Sequence, residues 1–350
     1  MASWSGVGRY TVGLTRALAA RDDIEPVLVV AAGATMPQAF SGFEQRVVTG
    51  SPFTPAGAMS LGAALRRIKP DLTHCLHFPT PMPAVHPLVV TLHDFTPTIV
   101  PGAMPSATKR AIYRALNART VRIADAIVVP SQCTADDVLA RFPLARGKLR
   151  VTLEAADDFS SGEMGVVPAG LVPAAERYIL SMGSLKPSKD LPTLFSAFAQ
   201  VAQREAGLSL LLVGVDHPEY LDAHVPPACR QRVRFTGRVT DPELRALYAG
   251  AAAFAFPSLY EGFGLPPLEA MAYGTPVVVA RAASLPEVVG DAALLVEPGD
   301  ADGLASALEQ LLDDAALRER LIAAGHARVS EFSWARTAEQ TVAAYRDVTR

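Results

Sequence analysis

Phe256-Pro-Ser-Leu-Tyr-Glu-Gly-Phe-Gly-Leu-Pro-Pro-Leu-Glu-Ala-Met-Ala-Tyr-Gly-Thr-Pro-Val-Val-Val279 reads as strand end, glycine loop, helix, glycine stop and next strand. The apolar run Ala251 to Phe256 has strand character, and Glu261-Gly262-Phe263-Gly264 cannot continue it. Glycine lets the loop backbone approach a ligand closely. Leu265-Pro266-Pro267 opens a helix, because proline is tolerated in a first turn whose N–H groups have no intrahelical partner. Gly274 is a good stop, and Thr275 to Val279 starts the following strand. The positive end of such a helix suits a phosphate or diphosphate. Glu261 sits just before that end, and Glu269 lies roughly 6 Å further along the axis. Carboxylates accept hydrogen bonds from sugar hydroxyls, so the layout matches ribose, diphosphate and sugar in a nucleotide-sugar.

Glu261, seven intervening residues and Glu269, worded EGFGLP, closely resemble the signature of retaining GT-B-fold glycosyltransferases of family GT4. The resemblance assigns Glu261 to the donor sugar and Glu269 to the ribose. It assigns the amides of Gly262, Phe263, Gly264 and Leu265 to the sugar and diphosphate.

Composition fits this reading. The 350 residues are half hydrophobic and 19% charged, enough for two ordinary domains, and the net charge of −3 argues against a nucleic-acid partner. Cys75, Cys133 and Cys229 lie far apart and lack metal-ligand spacing, so they read as buried or idle thiols in a reducing compartment. No apolar run reaches the roughly 20 residues of a membrane span, and no secretory signal opens the chain. A cytoplasmic protein is expected.

Near the start, Ser5-Gly6-Val7-Gly8-Arg9-Tyr10 is a glycine loop feeding a helix. It resembles the family's GIGRYT motif, which implies that the Gly6 amide lies near the donor diphosphate and the acceptor. Family members carry a strand before this loop. Here only Met1-Ala2-Ser3-Trp4 precede it, too few for a strand of about 5–6 residues. Either the sequence starts too late, by truncation or a misassigned start codon, or the strand is truly absent, in which case the first sheet would have a hole in its middle. Pro87 to Asp94 reads as a buried strand ending in His93-Asp94, and ligands collect at the carboxyl ends of strands in open α/β sheets. Its wording, VVTLHD, matches the family's VVTIHD and implies that His93 contacts the acceptor or reaction centre. Asp94 reads equally as a cap, and His74 and His77 as packing or loop residues.

Ser106 to Ala124 reads as an amphipathic helix with Lys109, Arg110, Arg114, Arg119 and Arg122. A solvated face is the plain reading; the other is peripheral contact with an anionic membrane surface. Ser131 is expected to cap a helix from Ala135, and Asp241 to cap the helix that follows Val239. Asp157 to Arg177, rich in Gly, Pro, Ser and Ala, reads as the interdomain linker and hinge. Beyond it, Tyr178 to Met182 is a strand, Gly183 to Asp190 a loop, and Leu191 the start of a helix. This loop resembles the family's GTLEPRKN, which places Lys189 on the donor diphosphate and Ser184 beside the donor. Lys186 and Ser188 depart from the family's usual Glu and Arg. The backbone at Val239 is implied to meet the nucleobase.

The expected fold is α/β: two Rossmann-like domains with parallel sheets facing across a cleft. They span residues 1–168 for the acceptor and 169–332 for the nucleotide-sugar, and a helix at 333–350 crosses back to the first. The expected activity is hexosyl transfer with retention, from a nucleotide-diphosphate sugar, with mannose favoured, to a glycan or polyprenyl-linked acceptor. No cofactor and no metal are expected, Lys189 and helix ends neutralising the leaving diphosphate. Cell-surface polysaccharide or glycolipid assembly on the inner face of the cytoplasmic membrane is the implied setting. The alternatives are a sugar-nucleotide epimerase or phosphorylase on this fold, and a non-catalytic sugar-nucleotide-binding protein.

Overall fold

A computed structural model describes residues 6–34, 40–172, 177–214 and 216–349. Met1 to Ser5, on which the expectation about a preceding strand falls, lie outside the described residues. The chain divides into two compact units. The first comprises Met1–Phe95, Met104–Ala155 and Phe332–Arg350; the second comprises Thr96–Ala103 and Ala156–Glu331.

In chain order the elements are α1 (Gly6–Ala19), β1 (Val27–Ala31), β2 (Glu44–Val48), α2 (Pro55–Ile68), β3 (Thr73–Cys75), β4 (Leu88–Thr91), α3 (Thr96–Ile99), α4 (Ala107–Ile123), β5 (Ala126–Val129), α5 (Gln132–Arg141) and β6 (Leu149–Val151). Then come α6 (Asp157–Ser160), β7 (Arg177–Met182), α7 (Leu191–Arg204), β8 (Leu208–Val213), α8 (Pro218–His224), β9 (Val233–Gly237), α9 (Asp241–Gly250), β10 (Ala253–Phe256) and α10 (Leu265–Ala272). The last are β11 (Val277–Ala280), α11 (Leu285–Val289), β12 (Leu294–Val296), α12 (Ala301–Asp313), α13 (Ala315–Val329) and α14 (Trp334–Thr349).

The second unit holds one parallel six-stranded sheet in the order β12-β11-β10-β7-β8-β9. This is the doubly wound order, and it reverses between β7 and β10. Strands covered by helices on both faces need side chains that are apolar on both. Hence β8, Leu-Ser-Leu-Leu-Leu-Val, and β10, Ala-Phe-Ala-Phe, are buried at every position. The amphipathic α7 and α12 close one face, with Leu194, Phe195, Phe198, Leu308 and Leu311 in the same core as Ile179, Leu210 and Leu212.

The first unit is built the same way but is divided. β1 and β2 form a two-stranded parallel sheet, and β3-β4-β5-β6 a four-stranded one. In a doubly wound sheet these are the two flanks that a central strand joins. Among the described residues no strand pairs with both sheets. The C-terminal α14 packs within this unit. Ala344 joins the core of Val89, Ala126 and Val128, with Tyr345 and Val348 packed against it. Its first residue, Trp334, is buried and lies over Gly13 of α1, which has no Cβ to obstruct the indole.

Three local expectations need correction. The cap of α9 is Thr240, not Asp241: Thr240 accepts from the Glu243 amide, and Glu243 accepts from the Thr240 amide, a reciprocal capping box. Ser131 does cap α5, but the helix begins at Gln132, three residues earlier than expected. The Gly- and Pro-rich stretch after Asp157 is not free along its length. Arg245, buried on α9, donates to the carbonyls of Phe159 (2.9 Å) and Glu163 (2.8 Å), and Tyr273 Oη donates to Phe159 at 3.1 Å. These bonds make the start of the stretch part of the second unit.

Candidate donor site and the His93 cluster

Two loops leave the carboxyl ends of β7 and β10, the strands that flank the order reversal of the second sheet. Neighbouring parallel strands whose connections run to opposite sides open a crevice at that point. The loop after β7 ends in a single 3₁₀ turn, Pro187–Lys189, and Asp190 in the left-handed region (φ 46°) starts α7. The loop after β10 carries Glu261 and ends at Gly264, whose φ of 111° is open to glycine and costly for other residues. A Cβ at Gly264 would also lie 2.7 Å from Leu285 Cδ2, so that side chain would have to shift.

The loops are tied together. The Leu259 amide donates to the Ser188 carbonyl at 2.8 Å. Lys189 Nζ lies 2.6 Å from Glu261 Oε1, and 4.8 Å above the centre of the Phe256 ring. Both charged side chains are about one-fifth exposed. Ser284, fully buried, donates to the Glu261 and Phe263 carbonyls (2.9 and 2.6 Å) and holds the glycine loop from the far side. Ser284 was missed in the sequence because its partners lie more than 20 positions earlier.

Past the loop, α10 begins at Leu265. Pro266 and Pro267 carry no N–H, so Gly264 and Leu265 supply backbone donors at this end, beside the loop amides of Gly262 and Phe263. Phe263 and Leu265 are buried, whereas Gly262 is partly open. Glu269 is almost wholly buried and takes a hydrogen bond from Tyr248 Oη at 3.0 Å. A buried carboxylate needs such a donor to offset its lost hydration. Tyr248, on α9, was not singled out from the sequence. Ser184 lies in the same loop as Lys189. Val239 is buried just past β9, beside the Thr240 cap. The structure thus brings Lys189 against Glu261 directly, with Gly262 to Gly264 in the same loop and Leu265 opening α10.

Gly6 and His93 belong to the first unit. Gly6 is the exposed first residue of α1. His93 follows β4 and is buried in a polar cluster. Its Nε2 is 2.9 Å from the Leu76 carbonyl, and its Nδ1 is 3.4 Å from Glu154 Oε1. Tyr10 meets the ring edge-on at 4.7 Å and bonds Thr91 at 2.9 Å. Burial alone would pull the His93 pKa down. The hydrogen bond and charge of Glu154, the Leu76 carbonyl and Asp94 outweigh it, and the net shift is upward. His74 and His77 go the other way. Burial, with the His93 charge second, holds them at about 3 and about 4. His74 bonds Tyr345 Oη and Thr91 Oγ1 (2.6 and 2.8 Å), and His77 Nδ1 accepts from the Phe78 amide at 2.7 Å. Burial also pushes the Cys75 thiol to about 12, which makes it unreactive at neutral pH.

On α4, Arg119 is turned inward onto Thr80 and the Pro81 carbonyl, and Arg110 folds back on Met104 and Pro105. Lys109, Arg114 and Arg122 remain exposed, with Ile112 among them. No helix among the described residues is long and apolar enough to cross a membrane. Among the same residues no group of three or more His, Cys, Asp or Glu side chains is placed to hold a metal ion.

With this geometry in hand, comparison with known proteins is decisive. Residues 4–157 match the family described as Glycosyltransferase Family 4, and residues 176–314 match Glycosyl transferases group 1. The O-antigen chain mannosyltransferase B of Escherichia coli is 30% identical over 295 residues, covering 81% of this chain and 76% of that protein. The chain belongs to glycosyltransferase family 4. Solved structures give the same fold. The sucrose-phosphate synthase of Thermosynechococcus elongatus superposes with a TM-score of 0.77 at 23% identity, covering 98% of this chain and 93% of its own. Anabaena HepE in complex with UDP-glucose gives 0.74 at 20% identity, covering 98% and 96%. The protein is a GT-B hexosyltransferase of the GT4 type.

Proposed function

We propose that the protein transfers mannose, with retention at the anomeric carbon and without a metal ion, from a nucleotide-diphosphate donor to a hydroxyl of a glycan or polyprenyl-linked acceptor. The observation that carries this reading is the Lys189–Glu261 pair at the mouth of α10. A cation there meets a diphosphate, and a carboxylate beside it accepts from the donor sugar's hydroxyls. The amides of Gly262 to Leu265 and the positive end of α10 add to the field that stabilises the leaving diphosphate. Charge supplied in this way is why no metal is invoked. Glu269, held by Tyr248, is assigned to the ribose. The Val239 backbone is assigned to the base, and Ser184 and Gly6 to the donor. His93 is assigned to the acceptor side.

Front-face transfer, in which the departing phosphate takes the acceptor proton, is the mechanism we assign. The mannosyltransferase relative supports the sugar and a role in surface polysaccharide assembly. The exposed cations and Ile112 of α4 support peripheral attachment to an anionic inner membrane face.

The test is product analysis. The chain is incubated with GDP-mannose, UDP-glucose and ADP-glucose, in EDTA and in magnesium, beside mannoside and polyprenyl-linked acceptors. An α-mannoside formed from GDP-mannose, equally in EDTA, is expected. A β-linked product, or turnover that needs metal, contradicts the reading.

A further inference from the structure

In its neutral form an imidazole has one N–H donor and one bare nitrogen. His93 has oxygen acceptors at both nitrogens, the Leu76 carbonyl at Nε2 and the Glu154 carboxylate at Nδ1. A bare nitrogen facing either oxygen would set lone pair against lone pair, in a place where His93 and Glu154 are each less than one-tenth exposed. Adding the second proton removes that clash, makes the 2.9 Å Leu76 contact a charge-assisted hydrogen bond, and places the resulting charge 3.4 Å from the Glu154 carboxylate, as an ion pair. We propose that Glu154 is a positioning residue of this enzyme: with the Leu76 carbonyl it takes both ring N–H groups of His93 and fixes the ring as a buried cation, not a proton acceptor.

The surroundings agree. The charged and titratable groups around the ring are Glu154 just past β6, Asp94 next in sequence, and His74 and His77 from the segment that begins with β3. The two acids favour the charge, and the two neighbouring histidines are kept neutral, His93 itself contributing to that. Tyr10, packed edge-on against His93, limits rotation away from the two acceptors. His93 therefore offers the substrate a fixed positive charge at the end of β4, and neither ring nitrogen is left to take an acceptor's proton. This rests on the proposed assignment of His93 to the acceptor side, and it assigns that residue an electrostatic role.

The test reads ring protonation directly. The whole chain is labelled at histidine ring carbons and nitrogens, and His93 is identified by the signal lost in His93→Gln. We expect two ring protons on wild-type His93 at pH 7.5. In Glu154→Gln only the more weakly acting Asp94 charge and the Leu76 carbonyl still oppose burial, the largest single influence on the ring, so the ring should carry one proton there and titrate below about 6.5. In the same variant kcat at pH 7.5 should fall about tenfold, with the donor KM within twofold, and should recover as the pH is lowered. Glu154→Asp should restore both readouts in part. A singly protonated ring in the wild type overturns the proposal, even where Glu154→Gln fails to fold. So does a Glu154→Gln ring that titrates as in the wild type, or a kcat loss in that variant that no pH restores. A wild type that binds no nucleotide-sugar instead overturns the proposed function and the catalytic half of this inference, and the ring titration still decides the other half.

Discussion

Replacing Gly13 by alanine probes the seat of the C-terminal helix on the first unit. An added Cβ would stand 2.1 Å from Trp334 Cε2, 2.4 Å from Cδ2 and 2.6 Å from Cζ2. Ordinary contact begins at 3.4 Å, so the indole must retreat by about 1.3 Å, or α1 must move as far. The indole is rigid and only 4% exposed, and it also packs against Tyr10 at 6.0 Å. Overpacking of this kind costs about 1–3 kcal/mol, whereas alanine for glycine in a helix gains roughly 0.5–1 kcal/mol. The net expectation is a loss of about 1–2 kcal/mol, or a fall in Tm of several degrees. The assay is a double-mutant cycle by urea and thermal unfolding with Trp334→Leu, which removes the obstructing ring. In that background Gly13→Ala should become neutral or stabilising, giving a coupling of about 2 kcal/mol. Equal effects of Gly13→Ala in both backgrounds would refute the packing argument.

Other consequences are as direct. Because the folded chain keeps His74 at about 3 and His77 at about 4, the unfolded chain binds more protons between those values and about 6.5. Stability should therefore fall as pH drops from 6.5 to 4.5, and a flat urea midpoint over that range would count against the burial of these rings. His93, shifted upward, acts with the opposite sign. Its contribution is whole below the ordinary histidine pKa and fades as the pH rises through the folded value, so Glu154→Gln should flatten the alkaline side of the profile. Arg245→Ala removes two hydrogen bonds from a buried guanidinium and its stacking on Phe159 at 4.9 Å. The expected cost is about 2–4 kcal/mol, with faster proteolysis between residues 160 and 172. Unchanged cleavage would show that this stretch is not pinned.

What could be read from the sequence was what neighbouring residues decide among themselves. β4 and β10 are buried at every position because helices cover both faces, and apart from Thr91 they are apolar throughout, while the glycines of 262–264 are needed by the loop itself. The capping box Thr240-Asp-Pro-Glu243 was also a local signal, and attention to its spacing would have found the true cap. Contacts made by folding were out of reach. Glu154 meets His93 across 61 positions, Tyr248 meets Glu269 between two helices, and Ser284 reaches back under the glycine loop. Composition misled for the stretch after Asp157. Its glycines and prolines suggest slack chain, yet Gly162 is small because the Arg245 guanidinium lies where its Cβ would be.

The most direct test of the central claim is calorimetric titration of the chain with GDP-mannose and GDP, beside Lys189→Ala, Glu261→Gln and Glu269→Gln. The account predicts saturable binding by the wild type, and at least about tenfold weaker binding of both ligands when Lys189 is removed. It predicts that Glu261→Gln weakens the sugar nucleotide more than GDP, and that Glu269→Gln weakens both. Wild-type affinity for GDP-mannose in Lys189→Ala and Glu269→Gln would place the donor elsewhere and contradict the account.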